Sequence, residues 1–295
     1  MAKWQGKSRG LLIGYKIFIF ILNTLGVQFA YFVLRFITFY YFVFSRGARK
    51  LTYIFFKKRL GYTSFQSFFS VYKNNYVFAQ TIMDRFVISL GIKNKFTFEY
   101  DGVHHLEDML EKKQGGVLIS AHVGNFEIAH HFFSQMDGFS QINLVTTDAE
   151  HQKIKEFVES LSMESRIKFI IVGDDMSHIF EINQALSDNE LVCFTGDRYF
   201  EGNRTLKADL LGKEAEFPAG PFLISSRLKV PVAFVYVMKE TKTHYHLYTR
   251  MAEFENRNEQ QLLESYTKSI GEIIKKYPYQ WFNYFDFWDD IKDDN

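Results

Sequence analysis

The first long hydrophobic pattern covers residues 11–44, which are almost all apolar. Its longest run without a charged residue is residues 17–34, and 18 residues of helix rise about 27 Å, close to the hydrocarbon thickness of a bilayer. Basic residues precede and follow the apolar stretch. Three placements are therefore open: a helix that spans the membrane, which we favour, a monotopic helix that lies in the interface, and a buried core helix.

The next segment, residues 51–100, continues as helical sequence rich in aromatic residues. Its aromatic side chains recur at spacings of three and four, at Phe65, Phe68, Phe69, Tyr72 and Tyr76. A stripe of this kind is typical of core packing, while the lack of acidic residues before Asp84, beside an anchor, favours apposition to the membrane. The predicted division is an anchor at 1–46 and a main domain at 47–295, in which 47–83 form a basic, membrane-facing helical part.

After residue 84 the pattern changes to short apolar runs that alternate with helical segments. Strands are predicted at 115–120, 142–147, 168–172, 191–195 and 230–238, and helices at 125–135, 150–162, 179–186, 217–227 and 260–276. This alternation predicts an α/β fold with a mostly parallel central sheet and helices on both faces, preceded by the anchor helix and the basic helical segment. In such a sheet the active site lies at the carboxyl ends of the strands.

The distribution of charge sharpens this division. The 295 residues carry a net charge of +1, but residues 1–83 contain 12 Lys and Arg and no acid, whereas the rest contains 23 basic and 34 acidic residues, a charge of −11. Basic residues around an apolar run indicate an anionic lipid surface, and nothing in the acidic remainder suggests nucleic acid. A hydrophobic content of 47% excludes global disorder, and the single cysteine excludes a disulfide scaffold.

A histidine and a glutamate follow the first strand of the α/β part. On a continuous helix His122 and Glu127 would point about 140° apart, but Gly124 and Asn125 offer a turn with Asn125 as N-cap, so that the carboxylate can fold back onto the imidazole. A carboxylate fixes the tautomer of a histidine, which is the requirement for a general base. Because no nucleophile motif is present and Cys193 lies in an apolar strand, we expect direct attack by an acceptor hydroxyl or amine.

Four blocks of sequence resemble one family. His122-x4-Glu127 resembles the H-x4-D/E signature of the glycerolipid acyltransferase superfamily, and the Asn125-Phe126-Glu127 context is similar to its lipid A biosynthesis (lauroyl/myristoyl) branch. Three later blocks resemble elements of that branch in the same order. Residues 197–202 resemble its D-x-x-x-G block, and residues 211–220 resemble its F-x-G-x-x-A block. Pro278-Tyr279-Gln280-Trp281 resembles its P-x-Q-W/Y element. Four ordered blocks are more specific than any one of them.

The resemblance implies roles for individual residues. His122 would be the general base and Glu127 its orienting partner, while Arg198 would bind a phosphate or carboxylate of donor or acceptor. Asp197 would order that arginine or act as a cap, and main-chain N–H groups around Gly220 would serve a developing oxyanion. The substrate-binding residues implied in this way are Asp197, Arg198, Gly202 and Gly220.

The resemblance also implies the reaction and its setting. A fatty acyl group would pass from acyl carrier protein, or less often acyl-CoA, to a lipid acceptor at the cytoplasmic (inner) membrane, with the catalytic body on the cytoplasmic side. The expected partners are acyl carrier protein, the lipid acceptor and membrane phospholipids, with no cofactor besides the acyl thioester. Since acyl carrier proteins are acidic, the donor is expected to dock on the basic first 83 residues.

One departure from the family pattern leaves the acceptor open. Members of the branch commonly carry basic residues after the tryptophan element, whereas residues 283–290 are acidic here and Asp293 and Asp294 follow. The acceptor is then either like a lipid A precursor or another bacterial amphiphile, such as an aminolipid or an aryl-polyene lipid. An alternative function is a catalytically inactive, membrane-associated lipid-binding or assembly protein.

Several histidines outside the motif are candidates for metal ligands. They are the adjacent pairs at 104–105 and 130–131, and His244 with His246. Adjacent histidines on a strand face opposite sides, and the last pair lies on an apparent hairpin with no carboxylate partner in the sequence pattern. Metal catalysis is therefore not expected, and no metal ligand is assigned.

Overall fold

The computed structural model describes residues 12–89, 91–92, 95–129, 133, 141–146, 167–173, 175–199 and 202–288, without the side chains of residues 12–21, 23, 89 and 127. The helices are α1 (Leu12–Phe44), α2 (Arg46–Ile54), α3 (Ser64–Ser89), α4 (Val103–Glu111), α5 (Ser177–Ser187), α6 (Ala219–Arg227) and α7 (Glu259–Lys276). The strands are β1 (Thr97–Asp101), β2 (Gly116–Ser120), β3 (Ile142–Thr146), β4 (Ile167–Ile171), β5 (Leu191–Thr195), β6 (Thr205–Leu210), β7 (Lys213–Pro218), β8 (Val232–Lys239) and β9 (His244–Met251).

Seven of these strands form one sheet, in the order β1-β9-β8-β2-β5-β3-β4. Only the β8–β9 pair is antiparallel in this sheet, and the other neighbours are parallel. Every residue of β2 and β8 is buried, as expected where both faces of a sheet are covered. Alternate residues of β2 enter different cores, Val117 and Ile119 on one face and Leu118 on the other. The predicted α/β architecture is confirmed.

Most of the predicted elements in the α/β part are confirmed within one or two residues. The five predicted strands correspond to β2, β3, β4, β5 and β8, and the predicted helices at 179–186 and 260–276 correspond to α5 and α7. The apolar face of α7 is buried as its spacing indicates. The helix predicted at 150–162 lies outside the described residues, as does most of 125–135, of which Phe126–Ile128 form a short 3-10 turn.

Two sequence predictions are wrong in part, and one strand pair was not predicted. Residues 51–100 are not helical throughout, because α3 ends at Ser89 and β1 begins at Thr97, where it pairs with β9 from far along the chain. The antiparallel pair β6–β7 was not anticipated, and its last residues, Phe217 and Pro218, occupy the predicted start of α6. These errors share a cause, since short strands are fixed by partners that a local pattern does not contain.

The apolar N-terminal stretch is helical but is not one straight rod. Gly26 interrupts α1 with a φ of 77° and a ψ of 173°, a conformation that glycine adopts without steric cost. The uncharged run 17–34 is therefore broken near its middle. Among the described residues, Thr24–Phe44 is long and apolar enough to cross a membrane, and 28% of its most apolar 18-residue window is buried. This low burial does not fit the alternative of a core helix.

Helix α1 packs along α3 and leaves an aromatic surface outside. The Tyr72 and Tyr76 hydroxyls donate to the carbonyls of Arg35 and Tyr31 at 3.2 and 3.0 Å, which fixes the register of the two helices. Of the seventeen large hydrophobic side chains that are exposed in the described part, twelve lie between Leu25 and Phe69. They include Phe65, Phe68 and Phe69, so the core interpretation of that stripe is wrong for these three residues.

A buried ion pair joins the helical part to the sheet. The Asp84 carboxylate of α3 accepts short hydrogen bonds from Lys239 Nζ at the end of β8, from Tyr31 of α1 and from Tyr245 of β9. Lys239 Nζ also donates to the Tyr31 hydroxyl at 3.0 Å and to the carbonyl of Lys242 at 2.8 Å. Burial raises the pKa of Asp84 and lowers that of Lys239, so each charge depends on the other being in place.

We expect Lys239→Met to lower the free energy of unfolding by about 3–5 kcal/mol, because it leaves Asp84 buried without its cation. The double variant Asp84→Asn with Lys239→Met is expected to recover part of this loss, since it leaves no buried charge unpaired. Denaturant unfolding of the purified protein measures both.

The matched control is Lys207→Met, because Lys207 pairs with Glu214 at 3.2 Å on the surface, where both side chains are more than half exposed. That variant is expected to change stability by less than about 1 kcal/mol. Equal losses for the buried and the exposed lysine would contradict the assigned role of the Asp84 pair.

Candidate active site

The parallel register of β2 and β5 brings two ionisable residues together. Ser120 is paired with Thr195, so the chain positions two residues beyond each strand end, His122 and Asp197, lie side by side. The amide of Gly196 donates to the carbonyl of Ser120 at 2.9 Å and continues the ladder past both strands. The two side chains therefore meet at the carboxyl edge of the sheet, where the sequence placed the site.

Asp197 holds His122 through two hydrogen bonds. Its Oδ1 lies 2.8 Å from His122 Nδ1, and its Oδ2 accepts from the His122 main-chain N–H at 3.0 Å. Because an ionised carboxylate only accepts, Nδ1 carries the hydrogen and Nε2 carries the lone pair. The side chain of Asp197 is 2% exposed and that of His122 is 27% exposed. The carboxylate is therefore shielded from solvent, whereas the imidazole is accessible to it.

The electrostatics keep Asp197 ionised. Burial alone would raise the pKa of its carboxyl, but the charge and hydrogen bonds of His122, together with the charge of Arg198, lower that pKa below its ordinary value. An ionised, fixed carboxylate behind an imidazole sets its tautomer and orientation and stabilises the imidazolium that forms when Nε2 takes a proton. The pair is chemically able to take a proton from a substrate hydroxyl or amine.

The predicted pairing of His122 with Glu127 stays a prediction. The backbone of Glu127 lies in the short turn Phe126–Ile128, and its side chain is outside the described part of the structure. Asn125 does occupy the N-cap position, but its side chain makes no cap hydrogen bond. It donates instead to the carbonyl of Thr81 at 3.1 Å and to the Tyr245 hydroxyl at 3.4 Å. These bonds connect residues 121–125, which we call the histidine loop, to Asp84 and its hydrogen-bond partners.

Two potential nucleophiles near this edge are engaged elsewhere. Ser120 is fully buried, and its hydroxyl donates to the carbonyl of Val235 at 2.7 Å. Cys193 is fully buried within β5, and burial raises the pKa of its thiol, so the packed thiol predicted from the sequence is confirmed. Neither side chain is placed for covalent catalysis in this conformation.

A segment from near the end of the chain completes the histidine loop. We call residues 279–282 the closing segment. Gly124 N donates to the carbonyl of Gln280 at 2.8 Å, Phe282 N donates to the carbonyl of His122 at 3.0 Å, and Val123 bridges Trp281 between them. Gly124 is required here, because it has a φ of 59° and a Cβ would lie 2.0 Å from the carbonyl oxygen of Val237.

Hydrogen bonds to two other elements, β8 and α3, hold the closing segment in place. The Gln280 side chain exchanges two hydrogen bonds with the main chain of Lys239, at 2.8 and 2.7 Å. Asn74 of α3 donates to the carbonyls of Tyr279 and Trp281 at 3.2 and 3.0 Å. The histidine loop is thus fastened to α3, to β8 and to the end of the chain.

The other predicted binding residues lie on different elements. Arg198 Nη2 donates to the carbonyl of Phe282 at 2.9 Å, so part of its guanidinium supports the closing segment. Gly202 lies in the exposed loop before β6 with a φ of 90°, and Gly220 is exposed in the first turn of α6. Their predicted roles in substrate binding stay predictions.

The hydrogen bond from His122 to Asp197 is the interaction that the sequence reasoning missed. A signal was present, because both residues stand two positions beyond a predicted strand. Using it required knowing that β2 and β5 are neighbours, although β3 and β4 lie between them in the sequence.

One expectation about the remaining histidines is wrong. His244 and His246 do have carboxylate partners, since Glu99 and Glu240 lie 3.3–3.9 Å from their ring nitrogens. Glu99 is opposite His246 only because β1 pairs in parallel with β9, and that pairing is not visible in the sequence.

A comparison with protein families matches residues 11–288 to the model described as bacterial lipid A biosynthesis acyltransferase. The chain belongs to this family. A comparison with curated proteins found no match. The match covers all four sequence blocks, so the His122 loop, the Asp197 strand end and the closing segment are parts of one lipid A acyltransferase domain.

In this member of the family we expect Gln280→Ala to lower the free energy of unfolding by about 1–3 kcal/mol, because two buried main-chain groups of Lys239 lose their partner. Thermal and denaturant unfolding measure the change. Gln184→Ala is the control, since Gln184 makes its side-chain hydrogen bond to Asp188 on the exposed face of α5. A Gln280 variant as stable as the Gln184 variant would contradict the role of Gln280 in holding the closing segment to β8.

Proposed function

We propose that the protein transfers a fatty acyl group from acyl carrier protein, or from acyl-CoA, to a hydroxyl or amine of a lipid acceptor. The acceptor is a lipid A precursor or a related bacterial amphiphile. The observation that carries the proposal is the hydrogen-bonded His122–Asp197 pair at the carboxyl edge of the sheet in a chain of the lipid A acyltransferase family.

The reaction follows from the tautomer of His122. Nε2 takes the proton of the acceptor O–H or N–H as the oxygen or nitrogen bonds to the thioester carbonyl carbon. The tetrahedral intermediate collapses, the C–S bond breaks, and the leaving thiolate receives that proton from the imidazolium. Asp197 stabilises the imidazolium between the two proton transfers. The buried state of Ser120 and Cys193 supports direct transfer without an acyl-enzyme.

The aromatic surface on α1 and α3 supports action at a membrane. Twelve exposed large hydrophobic side chains between Leu25 and Phe69 form a concentration that a soluble surface rarely carries. Lys57 and Lys58, exposed in the wide turn after α2, add positive charge on the same part of the chain. We propose that this part faces the inner membrane from the cytoplasmic side and that the acidic donor protein docks on its basic residues.

Catalysis is tested with the full-length protein in detergent, an acyl-carrier-protein thioester and a lipid A precursor. His122→Ala is expected to abolish transfer, and Asp197→Asn to lower kcat by a factor of about 10²–10⁴ because the imidazole loses its fixed tautomer. Mass spectrometry of the acylated lipid measures the rate, and the lipid profile of a deletion strain complemented with each variant identifies the acceptor.

Asp209→Asn is the control, since Asp209 is an exposed aspartate that accepts from the Gly212 amide in the β6–β7 hairpin. Glu127→Gln is measured in parallel. If Glu127→Gln abolishes transfer while Asp197→Asn leaves the rate unchanged, the orienting role belongs to Glu127. If the His122 variant retains full activity, the general-base mechanism is wrong.

Membrane attachment is tested on the exposed face of α1 without disturbing its buried face. Phe36 and Phe39 are 64% and 59% exposed, and we expect their joint replacement by Glu to move the protein out of the membrane fraction, since each charge costs about 2.5–3.5 kcal/mol in the bilayer. Fractionation of cells followed by immunoblotting measures this.

Phe180→Glu provides the matched control, because Phe180 is 79% exposed on α5. This variant is expected to stay with the membrane like the unmodified protein. Undiminished membrane attachment of the Phe36 and Phe39 variant would show that this face does not contact lipid.

A further inference from the structure

Four ionisable side chains converge at the tip of the β8–β9 hairpin. Glu240 follows β8, His244 and His246 lie two apart on one face of β9, and Glu99 lies on β1 opposite His246. These three strands carry none of the candidate catalytic residues. The cluster is therefore a second group of polar side chains that the acyl-transfer proposal leaves without a role.

The donor atoms of this cluster surround one point. His244 Nε2 lies 3.4 Å from Glu99 Oε2 and 3.9 Å from Glu240 Oε2, and the three atoms lie within 4.8 Å of one another. His246 Nδ1 lies 3.3 Å from Glu240 Oε1 and 3.9 Å from Glu99 Oε2. These separations exceed the 2.7–2.9 Å of charge-assisted hydrogen bonds. They approach the separation of about 3.3–3.5 Å between ligands of a tetrahedral zinc ion.

A hydrogen bond on its other ring nitrogen orients His244 toward these carboxylates. His244 Nδ1 lies 2.8 Å from Thr97 Oγ1, and Nε2 lies 3.4 Å from Glu99 Oε2. In the tautomer that binds a cation, Nδ1–H donates to the threonine oxygen and the lone pair of Nε2 faces the two carboxylates. Without a cation, Nε2–H donates to Glu99 in the other tautomer. A second hydrogen bond of this kind is also what orients histidine ligands of metals.

Glu240 is oriented in the same way. Its Oε1 accepts from the Tyr248 hydroxyl at 3.3 Å and, in a short hydrogen bond, from the Tyr277 hydroxyl. These two bonds leave Oε2 directed at His244. Lys276 contacts the cluster only through Tyr248, because its Nζ donates to the Tyr248 hydroxyl at 2.7 Å. It does not occupy the space between the two carboxylates.

We propose that Glu99, Glu240 and His244 bind a divalent transition-metal ion. Imidazole with carboxylate is a ligand set suited to Zn²⁺, and the 60% exposure of Glu99 leaves an open path for the ion. The ion would tie the edge strand β1 to the hairpin tip. Its role is structural and independent of acyl transfer, so failure of one proposal does not affect the other.

The experiment uses the full-length protein without an affinity tag, purified in detergent and stripped with a chelator. Titration with ZnSO4 followed by calorimetry is expected to show one ion bound per chain, and the same ion should raise Tm. His244→Ala and Glu240→Gln are each expected to weaken binding at least tenfold and to remove the rise in Tm. Glu99→Gln changes an exposed side chain and provides a variant that keeps the fold.

His104→Ala is the control, because His104 is an exposed histidine on α4 outside the cluster. It should bind Zn²⁺ as the unmodified protein does. The proposal is overturned if the unmodified protein binds no Zn²⁺, or if the three ligand variants bind it equally well. It is also overturned if Mg²⁺ binds as tightly as Zn²⁺ and His244→Ala has no effect, because the imidazole would then not be a ligand.

Discussion

A carboxylate removed from water is the constraint on which the arrangement of this molecule depends. Asp84 is fully buried, and it is ionised only where Lys239 and two tyrosine hydroxyls replace its hydration. Those partners come from α1, β8 and β9. The requirement to satisfy one charge therefore decides how the apolar helix, the helix α3 and the hairpin meet.

The same network extends to the active site. Tyr245 donates to Asp84 and also lies within hydrogen-bond reach of Asn125, whose main chain is held by the carbonyl of Val237 at 2.7 Å. The histidine loop thus rests on the residues that anchor α1. A helix whose outer face is aromatic and the loop that carries His122 are thus joined by buried polar groups.

The central strands could be predicted from the sequence because their signal is local. Strands such as β2 and β8 are buried on both faces, so their residues form continuous apolar runs between turns. Strand β1 carries no such run, since it is an edge strand with mostly exposed side chains. The aromatic stripe on α3 misled for a different reason. Periodicity reports that a helix face is apolar, but it does not report whether protein or lipid covers that face.

The candidate site, like the fold, could be predicted only where the signal is local in the sequence. His122 could be found because a motif and a strand end coincide, whereas its contact with Asp197 depends on the order of strands in the sheet. The cluster of Glu99 with His244 depends on the pairing of β1 with β9, two strands separated by most of the chain. Distances across a sheet follow from topology, and topology is set by packing of the whole domain.

The closing segment has a consequence for how the protein is made. The main-chain partners of Gly124 and His122 are Gln280 and Phe282, about 160 residues further along the chain. During synthesis the apolar helix leaves the ribosome first. The strand that precedes His122 follows well before the closing segment has been made. The main chain of His122 can make these hydrogen bonds only after residue 282 has emerged, so the loop that carries His122 is completed near the end of synthesis.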